Sequence, residues 1–390
     1  MTYDDMVAAA RARITEMTPG QVEARLTEGS AVLIDVRETH EFESGSLTGA
    51  IHTARAKLAT AIADLAPDLE SDLILFCSVG ERSALAAAAL QDSGYTNVVS
   101  MSGGVEQWRA EGRAWPGPEY LSADQRDRYS RHLPLGEVGE MGQAKLLASR
   151  VLLIGAGGLS SPAALYLAAA GVGTIGIVDF DTVETSNLQR QILHATDRIG
   201  EAKVESARRT LAAINPDVKV EALATRLSAA NALEIMEGFD VVIDGADNFP
   251  TRYLVNDAAL HLGIPVVHGS IFRFEGQATV FKPFEGPCYR CLFAEPPPPE
   301  LAPSCAEAGV LGVLPGIIGS IQAVEALKLL LGVGDTLVGR LLTYDALSQE
   351  FVTLAFNRNP NCPACEDESR LPVLVDYDSA CTSAGTQPRH

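Results

Sequence analysis

A glycine turn between a buried strand and a helix constrains the fold of this chain more than any other sequence feature. The segment VLLIGAGGLSSP occupies residues 151–162, and such a turn presents backbone amides that can bind phosphate. Further apolar runs alternate with helical stretches, at 174–180, 218–223, 241–246 and 265–270. Because parallel strands need helical crossovers, this alternation predicts an α/β fold with a Rossmann-like, doubly wound, mostly parallel sheet. Later apolar runs at 277–283 and 341–347 are predicted to add an antiparallel portion.

A second, smaller α/β unit precedes that sheet. Apolar runs at 31–36, 73–77 and 97–104 are predicted strands, and 81–94 is a predicted helix. Prolines and a glycine at 114–122 mark a linker, and 390 residues are long for one domain. We therefore expect a first domain at 1–116, a linker at 117–121, a second domain at 122–366 and a C-terminal tail at 367–390.

Composition narrows the classes of partner. The chain is 47% hydrophobic with a formal net charge of -20, which is typical of a soluble globular protein and argues against nucleic-acid or membrane partners. The apolar stretch 313–332 contains Gln322, Glu325 and Lys328, so it is predicted to be a buried helix. The N-terminus lacks the pattern of a secretory signal, and an odd cysteine count fits a reducing compartment, so we expect a cytoplasmic protein.

Cys77 opens a short loop, CSVGERS, between a predicted strand and a predicted helix. Loop amides and the helix N-terminus favour a thiolate there, and Arg82 adds positive charge. The alternative, a buried strand cysteine, is disfavoured because Gly80 and Arg82 are typical of a loop. Thiol phosphatases have one residue more between cysteine and arginine than the four found here. The smaller loop suits a sulfane sulfur better than a phosphate.

The first 116 or so residues resemble a single-domain rhodanese. The resemblance rests on DVRETHEFESGSLTGAIH at 35–52, on the CSVGERS loop and on GYTNVVSMSGGVEQW at 94–108. It implies that Cys77 carries a persulfide, with Arg82 and the loop amides stabilising the anionic sulfur. Asp35, Arg37 and Glu41 then serve mainly to support the loop.

The glycine turn by itself leaves two nucleotides open. Gly155, Gly157 and Gly158 permit a close backbone approach to phosphate, and Asp179 ends the next strand, where a carboxylate can hold ribose hydroxyls. Both features fit NAD as well as ATP.

Residues beyond that strand favour ATP. Asn187 and Arg190 in NLQRQ, followed by Lys203, place polar and cationic groups where they can neutralise a triphosphate. A dinucleotide relies chiefly on the helix N-terminus for its pyrophosphate. Asp247, at the end of another predicted strand, can hold Mg²⁺.

From Leu121 to about Cys365 the chain resembles the MoeB/ThiF family, relatives of ubiquitin-activating enzymes. The match includes RYSRHLPLGEVGEMGQ, DFDTVETSNLQRQ, DGADNFPTRY and PCYRCLF. With the rhodanese-like part in front, the arrangement is similar to fusions of the MoeZ type. The resemblance implies a homodimer in which Arg131 reaches the neighbouring subunit's ATP site. The residues it implies for the nucleotide and its Mg²⁺ are Gly155, Gly157, Gly158, Asp179, Asp181, Asn187, Arg190, Gln191, Lys203, Asp247, Asn248 and Arg131.

Two positions depart from this family's common pattern. Ser160 stands where many relatives have glycine, and Ala246 stands where threonine is common. Both residues are small, so we expect altered contacts and retained activity.

Two CxxC pairs predict a metal site. Cys288 and Cys291 form one pair, Cys362 and Cys365 the other, and four thiolates can bind a structural zinc ion. A redox role is the alternative, and the presence of two pairs disfavours it. Cys305 stands alone, at the position of the family cysteine that can bond covalently to the carrier protein.

The two resemblances together imply adenylation followed by sulfur transfer. The C-terminal glycine of a ubiquitin-like sulfur carrier ending in Gly-Gly is adenylated, and the Cys77 persulfide converts it to a thiocarboxylate for molybdopterin, thiamine or related biosynthesis. The sulfur donor is a cysteine desulfurase or thiosulfate. The residues expected to carry the chemistry are Cys77, Arg82, Arg190, Lys203, Asp247 and Cys305. The alternatives are an NAD-dependent oxidoreductase and a non-catalytic scaffold that binds carriers.

Overall fold

The computed structural model describes residues 2–29, 31–115, 120–295 and 309–376. It divides into two units, Met1–Ser122 and Ala123–His390, called unit 1 and unit 2 below. Residues 116–119 lie outside the described ranges, so the domain bounds at 116 and 122 stay predictions.

Unit 1 is built on a five-stranded parallel sheet. Its strands are β1 Thr15–Met17, β2 Val32–Asp35, β3 Ile51–His52, β4 Leu73–Phe76 and β5 Val98–Met101, in the order β1-β5-β4-β2-β3. Its helices are α1 Tyr3–Arg11, α2 Pro19–Glu28, α3 Thr39–Glu43, α4 Arg55–Leu65, α5 Glu81–Asp92 and α6 Gly104–Ala110. Every residue of β4 and β5 is buried, which explains why all of them except Ser100 are apolar.

The predicted strands of unit 1 are confirmed as β2, β4 and β5, and the predicted helix as α5. Two further strands, β1 and β3, have only three and two residues. Runs this short carry no readable periodicity, so sequence patterns miss them.

Unit 2 contains an eight-stranded mixed sheet. Its strands are β6 Arg150–Ile154, β7 Thr174–Val178, β8 Lys219–Leu223, β9 Val241–Asp244, β10 Val266–Phe272, β11 Glu275–Phe281, β12 Arg340–Asp345 and β13 Glu350–Ala355. The order is β13-β12-β11-β10-β9-β6-β7-β8, with the strands from β10 to β8 parallel and those from β10 to β13 antiparallel. The doubly wound sheet and its antiparallel portion are therefore confirmed. β13 was not predicted; all six of its residues are exposed, so no alternation marks it.

The helices of unit 2 cover the sheet. They are α7 Ala123–Arg128, α8 Gly139–Ala148, α9 Ser160–Ala170, α10 Lys203–Ile214, α11 Ala232–Met236, α12 Phe249–Leu262, α13 Tyr289–Leu292 and α14 Leu314–Leu331, with short 3-10 turns at Thr185–Asn187 and Thr196–Arg198. The chain leaves β6 on one side toward β7 and β8, while β9 and β10 lie on its other side. This reversal opens a crevice at the carboxyl ends of β6 and β9, where ligands bind in such sheets.

Helix α14 is the predicted buried helix. By length and composition it is the one helix among the described residues that could cross a membrane. However, it packs against α9, β10 and β11, and its buried side chains include Gln322 and Glu325. These contacts make it a core helix of unit 2.

Candidate functional site

The thiol loop begins directly after β4. Gly80 adopts a left-handed conformation with φ of 89° and turns the chain into α5. Its backbone N–H donates to Cys77 Sγ at 3.2 Å, and the Ser83 hydroxyl donates to the same sulfur at 3.6 Å. Cys77 is fully buried. From the sequence, a loop position and burial in the core are alternatives for Cys77. In the structure both hold, because Cys77 directly follows the end of β4 and is fully buried.

The start of α6 locks this loop. Val105 N–H donates to the Cys77 carbonyl at 2.9 Å, and Glu106 N–H donates to the Ser78 carbonyl at 3.0 Å. A Cβ built on Gly104 would collide with both carbonyl groups, so only glycine permits this approach. The first residues of α6 therefore hold the backbone of the loop at Cys77 and Ser78.

The Arg82 side chain interacts mainly with Glu41 and less with the sulfur of Cys77. Its guanidinium donates to the two Glu41 carboxylate oxygens at 2.6 and 2.7 Å, and Ser78 Oγ donates to the same carboxylate at 2.7 Å. Burial works against ionisation of Glu41, but these hydrogen bonds outweigh it and lower its pKa to about 2. The bond from Glu41 is also the main reason that the pKa of Arg82 is raised, with Cys77 contributing less. The positive charge predicted for the sulfur is thus largely neutralised by Glu41.

A buried ion pair supports the segment that carries Glu41. Arg37 donates to Asp35 at 2.6 Å and to the Gly45 carbonyl at 2.7 Å, while Ser46 Oγ donates to Asp35 at 2.7 Å. Breaking such a pair would leave an uncompensated buried charge. These contacts are structural, and they fix the approach of α3 to the thiol loop.

A cavity of about 290 Å³ occupies the crevice of unit 2 at the carboxyl ends of β6, β7 and β9. The structure brings most of the residues predicted for the nucleotide to its wall: Gly155, Gly157, Gly158, Asp179, Asp181, Arg190, Gln191, Lys203, Asp247 and Asn248. Asn187 lines an adjoining cavity together with Asp181 and Lys203. Arg131, itself a described residue, is exposed and lines neither of these two cavities.

The glycine turn is held by Asp179. Gly155 has a φ of 90°, which favours glycine. The Asp179 carboxylate accepts from Ala156 N–H and from Asp181 N–H, each at 2.8 Å. A carboxylate has about four acceptor positions, so Asp179 retains capacity for ribose hydroxyls.

The side chains of Lys203 and Arg190 each have one hydrogen-bond partner among the described residues. Lys203 Nζ lies 2.8 Å from the Asp181 carboxylate; the Lys203 side chain is 8% exposed and that of Asp181 50%. Arg190 donates to the Ser186 carbonyl at 3.1 Å. Asn187 accepts from Glu184 N–H at 3.0 Å, so it also caps the turn that presents Arg190. Lys203 is a nearly buried cation with a solvated counter-ion, which an anionic ligand can replace.

Asp247 lies in a loop that is fixed at both ends. Asp244 accepts from Ala246 N–H at 3.0 Å and from the His268 ring at 2.7 Å. Burial lowers the pKa of His268 despite this bond, so its ring is neutral near pH 7. Asn248 caps α12 by accepting from Thr251 N–H at 2.9 Å. The Asp247 carboxylate is therefore presented by a rigid turn.

Ser160, one of the two departures from the family pattern, lies beneath this loop. It is fully buried, its hydroxyl has no hydrogen-bond partner among the described residues, and a Cβ on Gly245 would collide with it. Ser160 therefore packs behind the cavity and is not among the residues that line it.

Sequence patterns missed part of the cavity wall, namely Phe180, Thr225, Arg226, Leu227, Thr251, Arg252 and Ile271. Phe180 is 61% exposed, and the Arg226 guanidinium lies over its ring at 5.5 Å. Thr225, Arg226 and Leu227 follow β8, so the rule that parallel strands meet at their carboxyl ends could have identified them.

The cavity also holds a polar atom that a ligand can satisfy. Gln191 Oε1 is buried and has no hydrogen-bond partner among the described residues. Buried acceptors are normally paired, so this amide oxygen fits a donor on a bound nucleotide. Together with the glycine turn, Arg190 and Lys203, it makes the cavity suitable for ATP.

The four predicted metal ligands come together. Their sulfur atoms all lie within 4.8 Å of one another, and Cys288–Cys291, Cys288–Cys362 and Cys291–Cys365 are separated by 3.9, 3.6 and 3.5 Å. Tetrahedral zinc with Zn–S bonds of about 2.3 Å requires separations of about 3.8 Å. Cys291 also accepts from Asn359 N–H at 3.4 Å. The cluster fits a closed four-thiolate site that joins the segment after β13 to α13.

One predicted site residue falls outside the described residues, because Cys305 lies in 296–308. The assignment of Cys305 to a covalent bond with the carrier stays a prediction.

The chain matches two protein families: the ThiF family over residues 129–364 and the rhodanese-like domain over residues 18–111. It is 53% identical over 263 residues to a sulfur carrier protein adenylyltransferase of Thermus thermophilus, which covers 66% of this chain and 97% of that protein. It is 53% identical over 262 residues to a SAMP-activating enzyme E1 of Haloferax volcanii, covering 67% and 97%. A probable adenylyltransferase/sulfurtransferase MoeZ of Mycobacterium tuberculosis is 50% identical over 265 residues, covering 67% and 66%.

Solved structures support the fold of unit 2. A crystal structure of E. coli MccB with ATP superposes with a TM-score of 0.55 at 20% identity, covering 67% of this chain and 80% of that one. At this identity the likeness concerns the fold alone.

Proposed function

This chain belongs to the ThiF family and carries a rhodanese-like domain in front of it, and from this premise we propose that it adenylates a ubiquitin-like sulfur carrier and then sulfurates it. The observation that carries the proposal is that one chain contains both a buried cysteine in a strand-to-helix loop and a cavity lined by cations that can bind a nucleotide. The names of the relatives agree with adenylyl and sulfur transfer. They favour this function over an NAD-dependent oxidoreductase or a non-catalytic scaffold.

In the first step a carboxylate oxygen of the carrier's C-terminal glycine attacks the α-phosphorus of ATP. The phosphorus–oxygen bond to pyrophosphate breaks, pyrophosphate leaves, and an acyl-adenylate forms. Lys203 and Arg190 offset the charge of the phosphates, since an anionic carboxylate must approach an anionic chain. Asp247 and Asn248 are the candidates to hold Mg²⁺, which supplies charge neutralisation for the departing pyrophosphate.

In the second step the outer sulfur of a Cys77 persulfide attacks the acyl carbon and AMP leaves. The product is an acyl disulfide between the carrier and Cys77. A thiol then attacks Cys77 Sγ, the carrier departs as a thiocarboxylate, and a disulfide between the thiol and Cys77 remains for reduction. Cys305 is the candidate for this thiol.

The remaining assignments complete the proposal. The four clustered cysteines hold a structural zinc ion, and the protein is a cytoplasmic homodimer in which each Arg131 serves the neighbouring nucleotide site. The persulfide comes from a cysteine desulfurase or from thiosulfate.

The test is mass spectrometry of candidate carriers after incubation with the chain, Mg·ATP and a sulfur donor. We expect an adenylate adduct in the absence of the donor and an oxygen-to-sulfur exchange in its presence. Asp247→Ala should abolish ATP–pyrophosphate exchange, whereas Asp217→Ala, on the surface away from the cavity, serves as the matched control. Failure of every diglycine carrier to stimulate exchange would refute the proposal.

A further inference from the structure

Cys77 Sγ is the end of a short chain of buried hydroxyl groups. Ser83, in the first turn of α5, donates to the sulfur at 3.6 Å, and Ser100, on β5, donates to Ser83 Oγ at 2.9 Å. All three residues are fully buried. Hydrogen bonds to sulfur are longer than those to oxygen, so both distances are those of real hydrogen bonds.

The direction of the chain follows from the number of protons. A serine hydroxyl has one proton to donate and can accept as well. Ser83 uses its proton on Cys77, and its oxygen accepts the proton of Ser100. Serine hydroxyls in helices often bond to the carbonyl of the preceding turn, but that of Ser83 points to the sulfur instead.

Because Arg82 is paired with Glu41, the hydrogen bonds of this hydroxyl chain contribute more to stabilising negative charge on Cys77 Sγ. Glu41 binds both nitrogen arms of Arg82, so the nearest guanidinium is already paired with a carboxylate. The two neutral donors to Cys77 Sγ, Gly80 N–H and Ser83 O–H, act together with Arg82, which interacts less strongly with Cys77 than with Glu41. Charge on a buried sulfur depends on such donors, because water is excluded.

We propose that Ser83 is a catalytic residue of sulfur transfer and that Ser100 is a positioning residue that orients the Ser83 hydroxyl. Ser83 stabilises the thiolate of Cys77 before loading. It does so again whenever Sγ leaves as a thiolate. With cyanide as the acceptor, the electron pair of cyanide forms the new bond to the outer sulfur, the sulfur–sulfur bond breaks, and its electron pair returns to Sγ. With the carrier, the Cys77 thiolate forms again when a thiol reductant cleaves the disulfide that remains on Cys77. The inference rests on the proposed role of Cys77 as the sulfur carrier within the enzyme.

The test compares full-length Ser83→Ala and Ser100→Ala with the wild type. The control is Ser102→Ala, because the Ser102 hydroxyl donates to the Met17 carbonyl and lies outside the chain. The first readout is the rate of Cys77 alkylation by iodoacetamide against pH, followed on the peptide that contains Cys77. The second is sulfur transfer from thiosulfate to cyanide.

For Ser83→Ala we expect the midpoint of the alkylation profile to rise by about one pH unit and sulfur transfer to fall about tenfold, as loss of a hydrogen bond to a charged group predicts. Ser100→Ala should shift both in the same direction but less, and Ser102→Ala should match the wild type. Ser83→Thr, which keeps the hydroxyl, should restore the profile.

An unchanged midpoint and rate in a Ser83→Ala protein with wild-type thermal unfolding would overturn the inference. If that variant fails to fold, an unchanged profile in Ser100→Ala overturns the positioning role, and Ser83→Thr decides the role of the hydroxyl. A wild type that transfers no sulfur would defeat the proposed function instead, and the alkylation profiles distinguish the two failures because they need no sulfur donor.

Discussion

The thiol loop of unit 1 and the nucleotide cavity of unit 2 both follow the carboxyl end of a parallel strand, yet they handle charge in opposite ways. In the thiol loop the sulfur is fully buried, the nearest cation is paired with Glu41, and neutral donors contact Cys77. In the nucleotide cavity Lys203 and Arg190 line an open space, and the carboxylate partner of Lys203, Asp181, is half exposed.

The difference follows from the size and charge of what each site handles. A single sulfur atom carries one charge, and two or three well-placed donors can stabilise it without space for a large ligand. A triphosphate carries several charges and needs both volume and cations. The same strand-to-helix turn thus serves either chemistry, and the side chains around it decide which.

The largest expected effect separates the two sites completely. Cys77→Ala should reduce thiocarboxylate formation to the level seen without enzyme, because alanine has no sulfur atom that could carry the persulfide. ATP–pyrophosphate exchange with a carrier should stay at the wild-type rate. Thiocarboxylate production by this variant from a persulfide donor would show that Cys77 is not the sulfur carrier.

Lys203→Met tests the nucleotide cavity of unit 2 while leaving the thiol loop of unit 1 intact. Loss of the nearly buried cation should lower ATP–pyrophosphate exchange by roughly 10²- to 10³-fold, the usual range for one stabilising group in a dry site. Thiosulfate-to-cyanide transfer at Cys77 should not change. Lys219→Met, which removes a surface lysine paired with Glu221, is the matched control. Equal exchange rates in the two variants would exclude a phosphate-binding role for Lys203.

The four clustered cysteines lie in unit 2, so removal of their metal should lower the stability of unit 2 and leave that of unit 1 unchanged. Cys362→Ser is expected to remove the bound zinc and to lower the unfolding temperature of unit 2 by about 10 °C. Both tryptophans of the chain, Trp108 and Trp115, lie in unit 1, so tryptophan fluorescence reports unit 1 and should show an unchanged transition. Calorimetry and metal analysis follow unit 2, and Cys381→Ser is the control. A zinc-free protein with unaltered unfolding would rule out a structural metal.

The smallest expected effects are those of acid, which should lower the stability of unit 2 first and that of unit 1 at a lower pH. Burial lowers the pKa of His268 below its ordinary 6.5, so on acidification the unfolded chain binds a proton first and unit 2 loses stability from about pH 6.5 downward. The pKa of Glu41 is lowered from 4.5 to about 2, so its contribution to unit 1 is complete above pH 4.5 and is lost toward pH 2.

Urea unfolding at several pH values on either side of 6.5 checks this order, with fluorescence for unit 1 and circular dichroism for both units. His268→Asn should remove part of the pH dependence of unit 2, and Glu41→Gln should remove part of the pH dependence of unit 1 below pH 4.5. A unit 2 whose stability is constant across pH 6.5 in the wild type would contradict the neutral state of His268.

Sequence alone determined the features that are local in the chain. The glycine turn at 155–158, the apolar runs of the parallel strands and the two CxxC pairs depend on neighbouring residues, whose spacing shows directly in the sequence. The same holds for Cys77 at the start of a loop, since a strand, Gly80 and a helix follow one another there.

Only the tertiary structure determined which residues from distant parts of the chain complete each site. Glu41 and Arg82 are 41 positions apart, Ser83 and Ser100 are 17 apart, and Cys288 and Cys362 are 74 apart, so no periodicity relates them. The burial of Cys77 and the pairing of Arg82 with Glu41 both depend on which segments pack together. Such contacts arise when distant segments pack, because packing sets burial and partners whereas the order of residues along the chain sets only the elements that pack.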